Sequence, residues 1–198
     1  MPLDANEVPS DPYVLFQRWY REAQDAGALQ PDAMTLATAG EGGPSARMVL
    51  FKGLDGGAFL FYSNYASRKG LDLAYDRRAA LVFYWAVTRH QVRAYGQVRK
   101  TKKAMSERYW ATRPRGAQLS ALASRQSSVV RSREQLERKV LERAARHQEV
   151  VPLPRTWGGY MLRPRWIEFW ENREDRLHDR IRYTVKTTGT WRIERLAP

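Results

Sequence analysis

The chain of 198 residues contains no cysteine and only three histidines. The first absence excludes disulfides and thiolate-ligated metals, and it fits a reducing compartment. His90, His147 and His178 stand at no metal-ligand spacing, so no metal centre is expected. No apolar run is long enough to cross a bilayer. Met1 to Ser10 holds acids and prolines instead of a basic segment followed by an apolar one. A secretory signal is therefore not expected, and the cytoplasm is the expected location. Also missing are a Gly-x-Ser-x-Gly elbow, a Walker loop and a Gly-x-Gly-x-x-Gly turn, so a classical nucleotide fold is not indicated.

Positive charge is abundant. There are 34 Lys+Arg against 21 Asp+Glu, for a formal net charge of +13. Nucleic acid is one class of partner for such a chain. Yet there is no Lys-rich tail, zinc-finger spacing or helix-turn-helix signature, and the basic residues are mostly Arg placed singly. That pattern suits phosphate-bearing small ligands as well as it suits a nucleic-acid face.

Residues 1–10 read as a flexible arm, and residues 11–198 as one domain. Asp11-Pro12 opens a helix as N-cap and first helical residue, with Leu15, Trp19, Ala23 and Ala26 on one face and Gly27 ending it. The period then shortens. Strands are expected over Ala33–Ala39, Ser45–Lys52, Ala58–Ser63, Ala79–Ala86 and Gln91–Val98, with a turn at Glu41–Pro44 and a helix over Ser67–Tyr75. A helical stretch spans 101–147. Thr101 caps its first helix and a short one lies near Gln118–Ala123. Ser132 and Gln135 form a capping box for the last, which carries a Glu142–Arg146 pair. After Val151–Arg155, strands return over Gly159–Arg163, Trp166–Trp170, Arg180–Val185 and Trp191–Leu196, with a turn at Gly189. Strands, then helices, then strands describe a mainly β fold with α: an antiparallel barrel with helices packed outside.

Three stretches carry chemistry. Arg47 and Lys52 bracket the apolar run Met48, Val49, Leu50 and Phe51, and line one site only if Lys52 lies past the strand end, which Gly53 permits, or if the strand bulges. Ser67-Arg68-Lys69 starts a helix, where free N–H groups and cationic side chains suit a phosphate or an ordinary solvated cap. Ile167-Glu168-Phe169-Trp170 followed by Arg176-Leu177-His178-Asp179-Arg180 combines a flat ring, forked donors and a proton carrier, which suits a planar anion. Tyr109 and Arg113 share a helix face.

Together these residues resemble the signature of the pyridoxamine 5'-phosphate oxidase family, along nearly the whole chain from Asp11-Pro12 to Glu194–Pro198. Further matches are Phe61-Tyr62-Ser63, Arg113-Pro114-Arg115, Ser124–Ser128 and Trp157-Gly158-Gly159. The resemblance implies a Greek-key split barrel that binds FMN and forms homodimers with FMN at the subunit interface. It places FMN against Arg47, Met48, Val49, Leu50, Phe51, Lys52, Tyr62, Ser63, Arg68, Lys69, Gln91, Gln126, Ser127, Trp170 and Arg180. It places the substrate phosphate at Lys52, Tyr109 and Arg113, and the substrate ring at Arg176 and His178, the pair on which catalysis would rest. The implied reaction oxidises pyridoxine or pyridoxamine 5'-phosphate to pyridoxal 5'-phosphate by hydride transfer from C4' to flavin N5, with O2 as final acceptor. Hydrogen peroxide results, and ammonia from the amine. Neither nucleic acid nor membrane is an implied partner.

The chain departs from the family pattern in three places. Ala117 stands where many relatives have Ser, Glu171 stands where Gln, His or Gly is usual, and the family's Arg- and Tyr-bearing N-terminal segment has no match in Met1–Ser10. Competing readings are a related flavin oxidase of another substrate, such as the phenazine-biosynthesis type, a nucleic-acid-binding barrel, and a non-catalytic carrier of flavin or pyridoxal phosphate.

Overall fold

The computed structural model describes residues 3–198. Helix α1 (Pro12–Asp25) precedes strands β1 (Ala33–Gly40), β2 (Gly43–Leu50), β3 (Leu54–Asp55) and β4 (Ala58–Asn64). Helix α2 (Arg68–Tyr75) leads to β5 (Arg78–Trp85) and β6 (His90–Lys100). Three helices follow: α3 (Lys103–Thr112), α4 (Arg115–Ala123) and α5 (Arg133–Arg146). The chain returns as β7 (Trp157–Glu171), a 3-10 turn at Glu174–Arg176, β8 (Asp179–Val185) and β9 (Trp191–Arg195).

The strands pair antiparallel in the order β2-β1-β5-β6-β7-β4-β3, with β8 and β9 added beyond β7. Strand β3 continues β2 past Phe51–Gly53, so its pairing with β4 brings the two ends of this order together. Bonds from Lys52 N to Leu60 O (2.8 Å) and from Leu60 N to Gly53 O (2.9 Å) tie the seam. The result is the split barrel. Strand β7 serves two neighbours on one edge: Trp157–Leu162 pairs with β4 and Trp166–Glu171 with β8. Its other edge lies along β6 from Tyr160 to Glu171.

Strict alternation fills the inside. Met34, Leu36, Leu81, Phe83, Val92, Ile167, Phe169 and Ile181 are buried, while their sequence neighbours on the same strands face outward. Helix α1 lays Leu15, Phe16, Trp19 and Ala23 against this core. Phe16 meets Phe51, Phe59 and Phe83 edge-on at 5.0–5.3 Å, and burying such a ring contributes about 1.5–3 kcal/mol. Asp11 caps α1 as expected, accepting from Tyr13 N at 2.9 Å.

Several expected elements are corrected. Gly159–Arg163 and Trp166–Trp170 are one strand, not two. Pro164 interrupts the pattern but sits at a register shift opposite Gly96, where the ladder needs no N–H. Gly96 is required there, because an added Cβ would strike the Arg163 backbone. Gly43 and Pro44 belong to β2, which ends at Leu50, so the strand expected to reach Lys52 stops two residues earlier. Thr101 does not cap α3; Lys102 holds that position, and the Thr101 hydroxyl pairs with Ser106 Oγ at 3.0 Å. Helix α4 starts at Arg115, three residues before the expected Gln118. Ser132 caps α5 through Gln135 N, but the Gln135 side chain accepts from Arg131 N. The ion pair along that helix is Arg133–Glu137 at 2.8 Å, not Glu142–Arg146. Of the expected N-terminal arm, Met1 and Pro2 lie outside the described residues. Leu3 packs into the core, and Pro9 O accepts from Tyr183 Oη at 2.8 Å.

Candidate functional site

The expected site residues fall into two groups. The first gathers around the N-terminus of α2. Ser67 is the N-cap, and Lys69 Nζ reaches both Ser67 Oγ (3.2 Å) and Gln126 Oε1 (3.3 Å). Ser63 Oγ lies 3.5 Å from the same Gln126 oxygen, and Arg68 N donates to Ser127 Oγ at 3.2 Å. Asp72, one turn into α2 and buried, collects the guanidiniums. It accepts from Arg68 Nε (2.9 Å), Arg47 Nη2 (3.4 Å) and Thr38 Oγ1 (2.8 Å). Burial pushes the Asp72 carboxyl up, but the bonds from Thr38 and Arg68 and the charges of Arg68 and Arg47 outweigh it and leave it below its ordinary value. Burial lowers the Lys69 ammonium, Arg47 adds to that and Asp72 opposes it.

Beside this cradle lies an aromatic wall. Tyr62 and Tyr109 stack at 3.9 Å, and Trp157 lies nearly parallel to Tyr62 at 5.6 Å. The Arg113 guanidinium sits 4.9 Å over Trp157 and donates to Ala117 O at 3.2 Å. A cavity of about 400 Å³ is lined by Tyr62, Ser63, Arg113, Ala117, Gln126 and Trp157.

The second group lies where β6, β7 and β8 end. Gln91, Trp170 and Arg180 are directly opposite one another across the three strands, on the outer face. The loop beyond brings the His178 ring to 4.7 Å from Trp170. His178 Nδ1 accepts from Arg173 N at 3.1 Å. In the neutral ring the proton therefore sits on Nε2, which is left as a donor. Arg173 organises the loop through Asp179 (2.8 Å) and Glu171 (3.1 Å). Asp175 and Arg176 both have positive φ, a local backbone cost that the surrounding structure offsets, and Arg176 is exposed. Glu171 points to the strand face opposite Trp170, toward His90 and the N-terminal segment. Burial raises its carboxyl pKa, and Arg173 opposes that.

Two groups of expectation meet a different placement. Lys52 lies past the strand end, as a shared face with Arg47 requires, but its amine is held by Asp32 at 2.8 Å and does not join Tyr109 and Arg113. Phe51 is a core side chain whose N–H is bonded to Asp32 O (2.8 Å), which leaves only its carbonyl for a ligand. Val49 packs partly against the core, while Met48 and Leu50 are exposed on the outer face of β2.

The groups are far apart within one chain. Ser63 pairs with Gly158 near the start of β7, and Trp170 lies twelve residues further along. At a rise of about 3.3 Å per residue that is roughly 40 Å of strand. Asp72, Glu168, Trp157 and Arg173 hold the expected residues in place; Glu168 and Trp157 stood in the matched motifs without a role, and Asp72 and Arg173 were not singled out from sequence. Asp72 stands four residues after Arg68, a spacing that does signal a helical ion pair.

The residues fit a flavin phosphate by their donor chemistry: two guanidiniums, one ammonium and a helix start converge, with room beside them for a ring system. Comparison with known proteins agrees. Residues 20–147 match the family described as "Pyridoxamine 5'-phosphate oxidase", and residues 157–198 match "Pyridoxine 5'-phosphate oxidase C-terminal dimerisation region". Proteins called pyridoxine/pyridoxamine 5'-phosphate oxidase from Burkholderia mallei (strain SAVP1) and Burkholderia pseudomallei (strain K96243) are each 49% identical over 199 residues, covering 99% of this chain and 93% of theirs. Among solved structures, PhzG from Burkholderia lata 383, in complex with tetrahydrophenazine-1-carboxylic acid, is 31% identical with a TM-score of 0.93, covering 100% of this chain and 98% of its own. A pyridoxamine 5'-phosphate oxidase-related, FMN binding protein from Nostoc punctiforme PCC 73102 shares the fold, with a TM-score of 0.74 at 16% identity, covering 96% of this chain and 100% of its own. The chain belongs to the pyridoxamine 5'-phosphate oxidase family.

Proposed function

We propose that this chain is an FMN-dependent cytoplasmic oxidase that converts pyridoxine or pyridoxamine 5'-phosphate to pyridoxal 5'-phosphate. It works as a homodimer in which each site draws on both copies. The observation that carries this reading is the division of the expected residues between the two ends of β7. One chain cannot bring them to one small ligand, but a two-fold partner can, because each copy offers what the other lacks. The C-terminal match to a dimerisation region supports that arrangement, as does the exposure of Met48, Leu50 and Tyr84 on the outer barrel face.

Charge supports the cofactor. With Lys69 protonated, Arg47, Arg68 and Lys69 against Asp72 leave two net positive charges around the α2 N-terminus, which matches a phosphate monoester dianion. Bound FMN would supply the acceptor for a hydride from substrate C4' and pass the electron pair to O2 as H2O2; from the alcohol this leaves the aldehyde directly, and from the amine an imine that water hydrolyses to the aldehyde and ammonia. The chain orients and neutralises. Arg113 and Tyr109 bind the substrate phosphate, Gln91, Trp170 and Arg180 hold the flavin, and Arg176 with the His178 Nε2–H fixes the substrate ring.

Similarity to PhzG favours a second reading, oxidation of a phenazine-type carboxylate. Arg113 and Tyr109 weigh against it, since a substrate without phosphate leaves them unused. The test is anaerobic addition of pyridoxine 5'-phosphate to the yellow holoprotein. Bleaching of the flavin band is expected. An unchanged spectrum with FMN bound, together with bleaching by a reduced phenazine carboxylate, would reverse the assignment.

A further inference from the structure

We propose that Glu168 is a positioning residue for the flavin, acting through Arg180. This rests on the reading above that Arg180 meets the cofactor.

Glu168 sits one row before Trp170 on the outer face of β7 and is 1% exposed. That is unusual for a carboxylate on the outer face of a sheet, and three arginines explain it. Oε2 accepts from Arg182 Nη2 at 2.8 Å and Nε at 3.3 Å. Oε1 accepts from Arg180 Nη2 at 2.9 Å and Nε at 3.2 Å. Arg93 Nη1 lies 3.6 Å from Oε1. Arg182 and Arg93 both rest on the Trp166 ring, at 4.9 and 5.5 Å. Oε2 is therefore fixed by Arg182, and Arg93 stands beside Oε1, neither arginine having a part in the expected site. Oε1 accepts its hydrogen bonds from Arg180, the one arginine of the three that does.

Arg180 is held twice. Besides Glu168 it donates through Nη1 to Ala197 O at 2.8 Å. A guanidinium has five N–H groups, and three are committed here, which leaves two for a ligand in a fixed plane. Without the Glu168 charge, three guanidiniums crowd one buried spot and repel each other. Arg180, the one at the end of the sheet, is free to swing away. A long arginine held in advance loses little freedom on binding, and that is the contribution assigned to Glu168.

The test is a double-mutant cycle read by binding, not turnover. Apoprotein is titrated with FMN and followed by quenching of flavin fluorescence. Glu168→Gln keeps the shape and removes the charge, and should raise the FMN Kd about tenfold. Glu168→Asp keeps the charge but withdraws it from Arg180, and should raise the Kd by about threefold. In an Arg180→Ala background either change should add less than about twofold. Near-UV circular dichroism checks folding, and if Glu168→Gln does not fold, the cycle is run with Glu168→Asp on the same criteria. Wild-type Kd in the Glu168 variants, beside a weakened Arg180→Ala, overturns the proposal. So does a full Glu168 effect that persists without Arg180, since the residue then acts elsewhere. Wild-type Kd in Arg180→Ala instead removes the reading on which the proposal stands.

Discussion

Replacing Asp72 by Asn changes no shape and removes one buried charge. In the native chain that carboxylate is 3% exposed and accepts from Thr38, Arg68 and Arg47. Breaking a buried ion pair by removing one partner costs about 3–5 kcal/mol. Arg68 is half exposed, with a side-chain accessibility of 51%, so screening brings the expected loss to about 2–3 kcal/mol. For a chain of this length the corresponding fall in Tm is roughly 4–12 °C. The pH dependence has a definite sign. A carboxyl whose folded pKa is depressed contributes stability that is fully present above its unfolded value near ~3.9 and is lost as pH falls through the folded pKa. Thermal unfolding of native and variant chains, at equal concentration, should give a constant gap from about pH 6 to 8 that closes below about pH 4. No gap at neutral pH, or one that persists undiminished in acid, would refute the role given to Asp72.

Three further outcomes follow from the site. Trp157→Leu removes the ring under Arg113, and should raise KM for pyridoxine 5'-phosphate about three- to tenfold while FMN affinity holds; an FMN Kd that shifts in step would show the wall belongs to the cofactor. Arg176→Ala and His178→Ala should each lower kcat/KM by about tenfold or more with FMN retained, and steady-state kinetics unchanged in both would place the substrate elsewhere. Glu171→Gln should leave Tm at pH 7 equal or higher, because burial raises the native carboxyl and its charged form is disfavoured in the fold. That difference should vanish below about pH 4, where the side chain at position 171 is neutral in both; a fall of several degrees at neutral pH would mean that the Arg173 bridge outweighs burial.

Much of the barrel was legible because alternation and turn residues are local signals. Asp11 and Ser132 were read correctly as caps, since each side chain bonds within its own first turn. What failed depended on distant partners. The sequence was read as two strands, Gly159–Arg163 and Trp166–Trp170, and only the place of Pro164 opposite Gly96 makes one continuous β7 possible. Two-residue β3 has no period to detect, yet it closes the barrel. The site showed the same divide. Arg and His residues could be named from the sequence, while the carboxylates that hold them were given no role there. Glu168 is buried only because Arg93, Arg180 and Arg182 come from neighbouring strands. Glu171, which looked out of place beside an anionic ligand, is turned to the opposite face by strand parity. Lys52 sits where strand parity requires, but its partner Asp32 could not be found by spacing.

The central claim, a site shared between two copies, is tested most directly by mixing two inactive variants. Arg113→Ala damages the first group and Arg176→Ala the second. After co-refolding in equal amounts, half of the dimers are mixed, and each mixed dimer holds one intact site of two. The account predicts recovery of about 25% of native turnover of pyridoxine 5'-phosphate. A mixture no more active than its separate components would contradict it, because a site built within one chain cannot be restored by a partner.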